Sequence, residues 1–294
     1  MKYEIKSYQE DFLEEIYEVG IEALKDWLYE AQTPVVSLKE TYSRPDFDPE
    51  TRLYAFKNGK MIGFVISRVL GDIDGKIKAD ISYPRVLKGY NDAFELLFQK
   101  IIEVLKKKGV QVARTTASEK WPNTIETLEK LGYNYVSDRY ILFNFETEKY
   151  ENDKSLKLQE ISEYNHEKDK EQVANYIMQL RGIDEDRANS YLDSIVNIYS
   201  EEIFVHIIAR RKNEIVSRLM CTHILDDTGN FYLYGEDDSL DKEILAKAIP
   251  ILKEKGIKNL NLFLTEENLK HKKRHTDLGF KKEGKISLYE KEIQ

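Results

Sequence analysis

From Asp80 to Asn91 the chain reads DISYPRVLKGYN. A carboxylate, two phenols, an arginine, a lysine and one glycine stand together just ahead of a long helical pattern. The first N–H groups of a helix lack partners inside it, and its dipole turns a positive end outward. A loop entering a helix is therefore a place for an anion. Gly89 lets the backbone approach phosphate oxygens, and Lys88 adds positive charge there. Asp80, and Glu119 after the next strand, are carboxylates, groups able to act as a base. Tyr83 and Tyr90 flank the loop as acid or wall. The plainer reading of the same residues is a strand-to-helix turn, two surface carboxylates and two packed tyrosines.

A second loop of the same kind runs Gly235-Glu236-Asp237-Asp238-Ser239-Leu240-Asp241. Its carboxylates stand where a polyanion would dock, and like charges repel by about 1 kcal/mol or more per close pair. It reads as a solvated acidic helix start. His206, His223 and His271 lack metal-ligand spacing. Cys221 sits in an apolar strand with no basic neighbour in sequence to lower its pKa, so it reads as core.

The elements that must position these loops come in a repeated order. KKKGVQVARTTASEKWPNTIETLEKLGY, 106–133, returns as KEKGIKNLNLFLTEENLKHKKRHTDLGF, 253–280. Gly109 and Gly256, Glu119 and Glu266, and Gly132 and Gly279 share one offset of 147. A repeat of that size means two copies of one domain, not a solenoid. Each copy reads as a strand and helical segments, a hairpin, a third strand, a helix, a strand, a helix and a last strand. Asn58-Gly59 marks the first hairpin, since both central positions must take positive φ. Residues 33–49, with three prolines, read as a mobile segment with one helical turn. Residues 146–155 are polar and aperiodic, a linker between domains at 1–147 and 156–294.

Length and composition agree: 294 residues suit two domains of about 150 each. No apolar run nears the roughly 18 residues of a membrane span, and the charged start MKYEIKSYQED is unlike a signal peptide. A net charge of -8 argues against nucleic-acid binding, and a single cysteine fits a reducing, cytoplasmic setting.

The hairpin NGKMIGFV at Asn58 to Val65 and the segment EKLGYNYVSDRYILF at Glu129 to Phe143 resemble the GNAT superfamily of N-acyltransferases. The resemblance covers nearly all of both copies in element order. It implies an α/β (α+β) fold: two tandem GNAT-like domains, each a mixed, mostly antiparallel central sheet flanked by helices. It also implies acetyl-CoA as acyl donor, its diphosphate on a Gln/Arg-x-x-Gly-x-Gly/Ala loop. Here that pattern falls on Val86 to Asn91. Gly89 matches, Arg85 stands one place early, and Asn91 replaces the small residue. The implied donor site is Ser82, Tyr83, Arg85, Val86, Leu87, Lys88, Gly89, Tyr90 and Asn91, with Asn123 near the family's helix-start Asn.

The family's acid, a Tyr one turn before Leu-Gly-aromatic, is Leu128 in the first copy and His275 in the second, where Asn268 matches the Asn. The copies thus keep complementary fragments. The implied activity is acetyl transfer to a small-molecule or peptide amine by the N-terminal copy, with Asp80, Glu119 and Tyr83 as candidate catalytic groups and the protein a monomer or homodimer. A non-catalytic tandem GNAT-fold protein that binds a ligand or partner is the alternative. Acyl transfer from another donor is a third reading.

Overall fold

The computed structural model describes residues 2–151, 153–225, 227–235 and 237–293. The chain forms two compact units, Met1–Ile141 with Gly284–Gln294, and Leu142–Glu283.

Unit 1 begins with β1 (Glu4–Ser7), α1 (Leu13–Leu24) and α2 (Val35–Tyr42). It continues with β2 (Arg52–Lys57), β3 (Lys60–Ile73), β4 (Lys76–Ile81) and the two-residue β5 (Arg85–Val86). Then come α3 (Asn91–Lys107), β6 (Val112–Ser118) and α4 (Thr124–Lys130). The segment 33–49 holds a two-turn helix, α2, rather than a single turn, because Leu38 is buried against Phe12, Ile16 and Tyr54. Asn58 and Gly59 take the positive φ their hairpin requires.

β2 explains why this sheet has two covered faces. Its residues alternate: Leu53 and Ala55 pack into the core under α3, while Tyr54 and Phe56 pack under α1 and α2. α3 presents Ala93, Leu97, Ile101 and Leu105 at helical spacing, all fully buried. Further along the sheet one face turns polar. Arg68, Asp80, Arg114 and Glu290 are successive register neighbours there.

β7 (Asn134–Glu146) follows α4. The second unit adds β8 (Ile161–Glu163), α5 (His166–Arg181), α6 (Glu185–Asn197), β9 (Ile203–Arg211), β10 (Glu214–Leu225), β11 (Thr228–Tyr234), α7 (Asp241–Glu254), β12 (Asn259–Leu264) and α8 (Lys272–Asp277). β13 (Lys281–Glu292) ends the chain. Asp184 caps α6 by accepting from the Arg187 N–H at 2.8 Å.

The last strand of each copy is divided between the two units: β7 passes into unit 2 after Ile141, and β13 passes into unit 1 at Gly284. In unit 1 the order is β1-β2-β3-β4-β6-β13-β7; in unit 2 β12 has β7 as its outer neighbour. β13 pairs antiparallel to β6 from Ile286↔Ser118 to Glu292↔Val112. Lys285 Nζ and Ser287 Oγ donate to Asp138 of β7, and Lys78 Nζ to Glu290 at 2.9 Å. In unit 2 the far end of β7 is fixed by Asn144 Nδ2 donating to Asn261 Oδ1 at 3.1 Å and by Phe145 against Phe280. The expected boundaries lie at 147 and 156, whereas the compact units meet at Ile141/Leu142 and Glu283/Gly284. Alternation tells which side of a strand is buried, but not which edge it joins.

β13 should be structural. Tyr289 and Ile293 are buried in the unit 1 core. Tyr289→Ala should cost unit 1 about 3–5 kcal/mol, as large aromatic truncations do. Both tryptophans, Trp27 and Trp121, lie in unit 1, so urea denaturation followed by their fluorescence measures the loss.

Candidate functional site

β4 and β6 run parallel, and their ladder covers Lys78↔Val112, Ala79↔Ala113 and Asp80↔Arg114. Beyond it each strand turns to a different neighbour. The Ser82 N–H donates to Ile66 O at 2.7 Å and Ser82 Oγ accepts from the Ile66 N–H at 3.0 Å, tying the end of β4 to β3. β6 instead continues along β13 to Ser118. A cleft of about 680 Å³ opens between the diverging ends. Tyr83, Pro84, Arg85, Val86, Lys88, Asn91, Phe94 and Glu95 line one wall. Pro122, Asn123, Thr127, Lys130 and Leu131 line the other, with Ala23 and Trp27 of the α1 region closing it.

Six of the ten residues expected to hold the donor share this cleft: Tyr83, Arg85, Val86, Lys88, Asn91 and Asn123. Four do not line it. Ser82 serves β3, and the Leu87 N–H donates to Ile62 O at 2.9 Å. Tyr90 precedes α3, its N–H donating to Leu87 O and its ring lying under Lys57. Gly89 takes φ +93 at the turn, with open space where a side chain would be. Gly63 serves the cleft indirectly: a Cβ there would stand 2.8 Å from Arg85 O, so only glycine lets β5 lie against β3.

The charges in the cleft divide into spent and unspent. Arg85 donates to Glu30 at 2.9 Å and Gln32 at 2.6 Å, its guanidinium over the Phe64 ring. Burial lowers the Arg85 pKa and raises that of Glu30. This arginine, expected to meet a phosphate, is a wall post instead. Lys88 is exposed and forms no ion pair among the described residues. α3 starts behind it with no side-chain cap on its N-terminus. Asp92 in its first turn is matched by Lys2 and by the Tyr3 hydroxyl at 2.6 Å. A lysine, a left-handed glycine and an uncapped helix start are donors of the kind a diphosphate needs.

Asp80 and Glu119, the expected bases, stand outside the cleft. Asp80 points to the polar face, its Oδ1 3.1 Å from Arg114 Nε. Alternation along β4 sends Ala79, Ile81 and Tyr83 the other way, toward the core. Glu119 is exposed beside Gly284. Leu128 is fully buried and supplies no acid. Tyr83 faces Thr127 of α4: burial raises its pKa, and the Thr127 hydrogen bond partly opposes this. Trp27 stacks on Trp121 at 4.9 Å and meets the Tyr83 ring edge-on at 5.4 Å. Trp27, Glu95 and Thr127 escaped the sequence reading. The offset of Thr127 from the expected acid position by one residue was the available signal.

In the corresponding place in unit 2 the charge of the loop is met from within. Arg274 of α8 donates to both carboxylate oxygens of Asp241, at 2.5 and 2.6 Å, to Gly235 O, and to Asp237 O at 3.3 Å. Both side chains are buried, at 7% and 4% exposure. The loop thus offers carbonyls to a cation where an anion site would offer N–H groups. Asp237 also pairs with Arg211 at 2.6 Å; Glu236 lies outside the described residues. His275 Nδ1 lies 2.9 Å from His271 O, so Nδ1 carries the proton. Burial pushes its pKa down to about 4, and its buried Nε2 is a bare lone pair. It cannot donate a proton as an acid would. Burial likewise pushes Cys221 up to about 12, an inert core thiol. Among the described residues no group of three or more His, Cys, Asp or Glu could hold a metal ion, and no helix is long and apolar enough to cross a membrane.

The architecture is that of tandem GNAT proteins. The chain superposes over 99% of its length on 99% of a tandem GNAT protein from the clavulanic acid biosynthesis pathway, with TM-score 0.70 and 11% identity. It covers 98% of itself and 99% of a GNAT-family acetyltransferase from Colwellia psychrerythraea, at 0.67 and 12%. For a GCN5-related N-acetyltransferase from Sphaerobacter thermophilus the shares are 100% and 96%, at 0.63 and 10%. At such identities the likeness shows the fold. No protein-family profile and no curated protein sequence matches the chain.

The Arg274–Asp241 pair makes a stability prediction with a sign. Burial holds the Asp241 pKa above its ordinary value, and Arg274 opposes that rise. Arg274→Ala removes the opposition and should cost unit 2 about 3–5 kcal/mol at pH 7. Below the unfolded pKa of about 3.9 both states are protonated and the ionisation part of the cost vanishes. The deficit of the variant should therefore shrink toward pH 4. Urea denaturation by circular dichroism, against the tryptophan signal of unit 1, separates the two units.

Proposed function

We propose that the protein is an N-acyltransferase whose unit 1 cleft binds acetyl-CoA and passes the acetyl group to an amine. One observation carries this reading: the cleft beyond Asp80↔Arg114 opens beside a lysine with no ion pair among the described residues and a helix start with no side-chain cap. The residues present fit the donor. Lys88, the Gly89 turn and the first N–H groups of α3 would hold its diphosphate. Bound there, acetyl-CoA supplies an activated acyl carbon and a thiolate leaving group.

The rest of the chemistry falls to the chain. The Tyr83 phenol faces Thr127 across the cleft, and its raised pKa keeps it protonated where a thiol of pKa about 8.5 would already be ionised. It can give its proton to the departing sulfur. Trp27, Tyr83 and Phe94 exclude water from that end. Glu95 carries the only carboxylate among the lining residues. Direct attack by an amine that has already lost its proton to solvent fits this poverty of bases. The same poverty favours the second reading, a non-catalytic tandem GNAT-fold protein that binds a ligand or partner. The two part company on turnover.

Because Trp27 lines the cleft and stacks on Trp121, acetyl-CoA should quench the tryptophan fluorescence. At 100 times its Kd it should also stabilise unit 1 by about 2.7 kcal/mol. Gly89→Glu, which adds charge and a strained left-handed side chain, should abolish both signals; Ser239→Gly in unit 2 should leave them intact. No quenching at millimolar acetyl-CoA rejects the reading.

With any accepted amine, Tyr83→Phe should lower kcat about 100-fold while acetyl-CoA still binds, the ordinary size of a lost general acid. Release of free thiol measures it. Binding without turnover across a broad amine panel selects the non-catalytic reading.

A further inference from the structure

We propose that unit 1 holds a second, oxyanion-binding pocket built on Arg52 and Arg68, and that it seats the acid group of a small acidic amine, the acceptor class for the cleft. The pocket, about 300 Å³, lies between the segment after α2 and the strands β2 and β3. Arg44, Asp46, Phe47, Asp48, Arg52 and Arg68 form most of its wall.

Arg52 is the reason to expect a ligand. It is 8% exposed, and its Nη1 donates to Thr51 O at 3.2 Å and Thr51 Oγ1 at 2.7 Å. Its Nε is buried with no hydrogen-bond partner. It forms no ion pair among the described residues, and the Phe47 ring lies 5.7 Å from the guanidinium carbon. Burial lowers its pKa, with the Tyr42 and Tyr54 hydroxyls, a hydrogen bond to Tyr42 and Asp48 opposing. A buried guanidinium with an unmet donor and no carboxylate is costly to keep unless something else supplies the charge.

The neighbouring charges do not supply it. Asp48 caps the Glu50 N–H at 3.0 Å and pairs with Lys108 at 2.7 Å. Arg44 is held by Glu40 at 3.2 Å. Arg68 is exposed and forms no ion pair among the described residues. Its register neighbour Asp80 lies against Arg114 instead. The uncommitted charge is thus two arginines against Asp46. Arginine forks match carboxylate and phosphate oxygens, and Phe47 and Val69 give the ligand an apolar side.

The pocket is small and concave, and the chain is acidic at -8, which suits a small molecule and not a nucleic acid or a lipid surface. Its substrate assignment rests on the acyltransferase reading; its anion binding does not. Asp80, beside Arg68, precedes Tyr83 by three residues, about 10 Å of extended chain. The gap left by the parting of β4 and β6 lies between. An amine whose acid group sits on Arg68 has that distance to bridge before it can reach the cleft, so the acceptor this pocket fits carries its amine about that far from its acid group.

The test uses the full chain without acetyl-CoA and isothermal titration with matched probes. N-acetylalanine and its amide form the carboxylate arm; phosphoethanolamine and ethanolamine form the phosphate arm. At least one acid should bind at least ten times more tightly than its neutral mate, and the arm that does so names the acid. Arg68→Gln, at an exposed position, should remove that preference and leave acetyl-CoA quenching of the tryptophans unchanged. Arg52→Gln should do the same where it folds. Equal binding of acid and neutral mate, no binding of either acid at 50 mM, or a preference untouched by Arg68→Gln overturns the pocket. If the acid preference appears but acetyl-CoA does not quench, the pocket stands and the acyltransferase reading falls.

Discussion

The parallel ladder between β4 and β6 stops after Asp80↔Arg114, and the candidate site exists because it stops there. Two parallel strands cannot separate inside a sheet unless each finds other partners for its backbone groups, since buried N–H and C=O groups must be paired. Unit 1 meets that condition twice. Ser82 lends both its amide and its hydroxyl to Ile66, so β4 leans toward β3. β6 keeps its outer ladder with β13 as far as Ser118. The second condition is met by a strand from the far end of the chain. The cleft of the N-terminal copy is therefore held open by C-terminal sequence, and loss of that strand would reach the site without touching a residue that lines it.

The same construction was kept in unit 2 and put to another use. β11 and β12 run parallel over Thr228↔Asn259 to Asn230↔Asn261, and a cleft of about 390 Å³ follows, lined by Tyr234, Gly235, Asn268 and His275 among others. Where Lys88 stands unspent in unit 1, Arg274 in unit 2 is consumed by Asp241 and by loop carbonyls. The difference is electrostatic. A helix start that already holds a buried carboxylate has no attraction left for a diphosphate, and the arginine that neutralises it turns the loop inside out. Nearby, Arg218 is 1% exposed and is met by the His206 ring nitrogen at 2.7 Å, the Tyr191 hydroxyl at 3.0 Å and two tyrosine faces. Unit 2 meets Arg218 and Arg274 with its own side chains, as unit 1 meets Arg85; Arg52 and Lys88 of unit 1 form no ion pair among the described residues.

Much of this was legible in the sequence because the signals are local. The repeat offset, the Asn58-Gly59 hairpin, the apolar stripe of α3 and the acidic loop of unit 2 are all written within a few residues of where they act. Asp184 as a cap and Cys221 as core follow from the same short-range logic. What failed was nonlocal. The placement of β13 beside β6 depends on which sheet edge is unpaired, a property of distant strands. Arg85 reads as a phosphate ligand until Glu30 and Gln32, more than fifty residues earlier, are placed beside it. Asp80 reads as a base until alternation along β4 is anchored by the burial of Ala79 and Ile81, which sends its carboxylate to Arg114. Only the partners of a charged side chain tell whether its charge is available.

That distinction also orders the roles within unit 1. Its polar row Arg68, Asp80, Arg114 and Glu290 alternates in sign across four strands, and Lys78 closes onto Glu290. Opposite charges directly across a sheet stabilise it modestly, each pair by well under about 1 kcal/mol when half exposed. Their larger effect is to fix register at the point where β4 and β6 must part. A slip of one residue would carry Ala79 and Ile81 out of the core and Asp80 into it. Register is thus set on the polar face, the cleft opens from the apolar face, and Asp80 belongs to the first task. With Asp80 committed to register, the titratable side chains left to line the cleft are Tyr83, Arg85, Lys88, Glu95 and Lys130, and of these Arg85 is already held by Glu30.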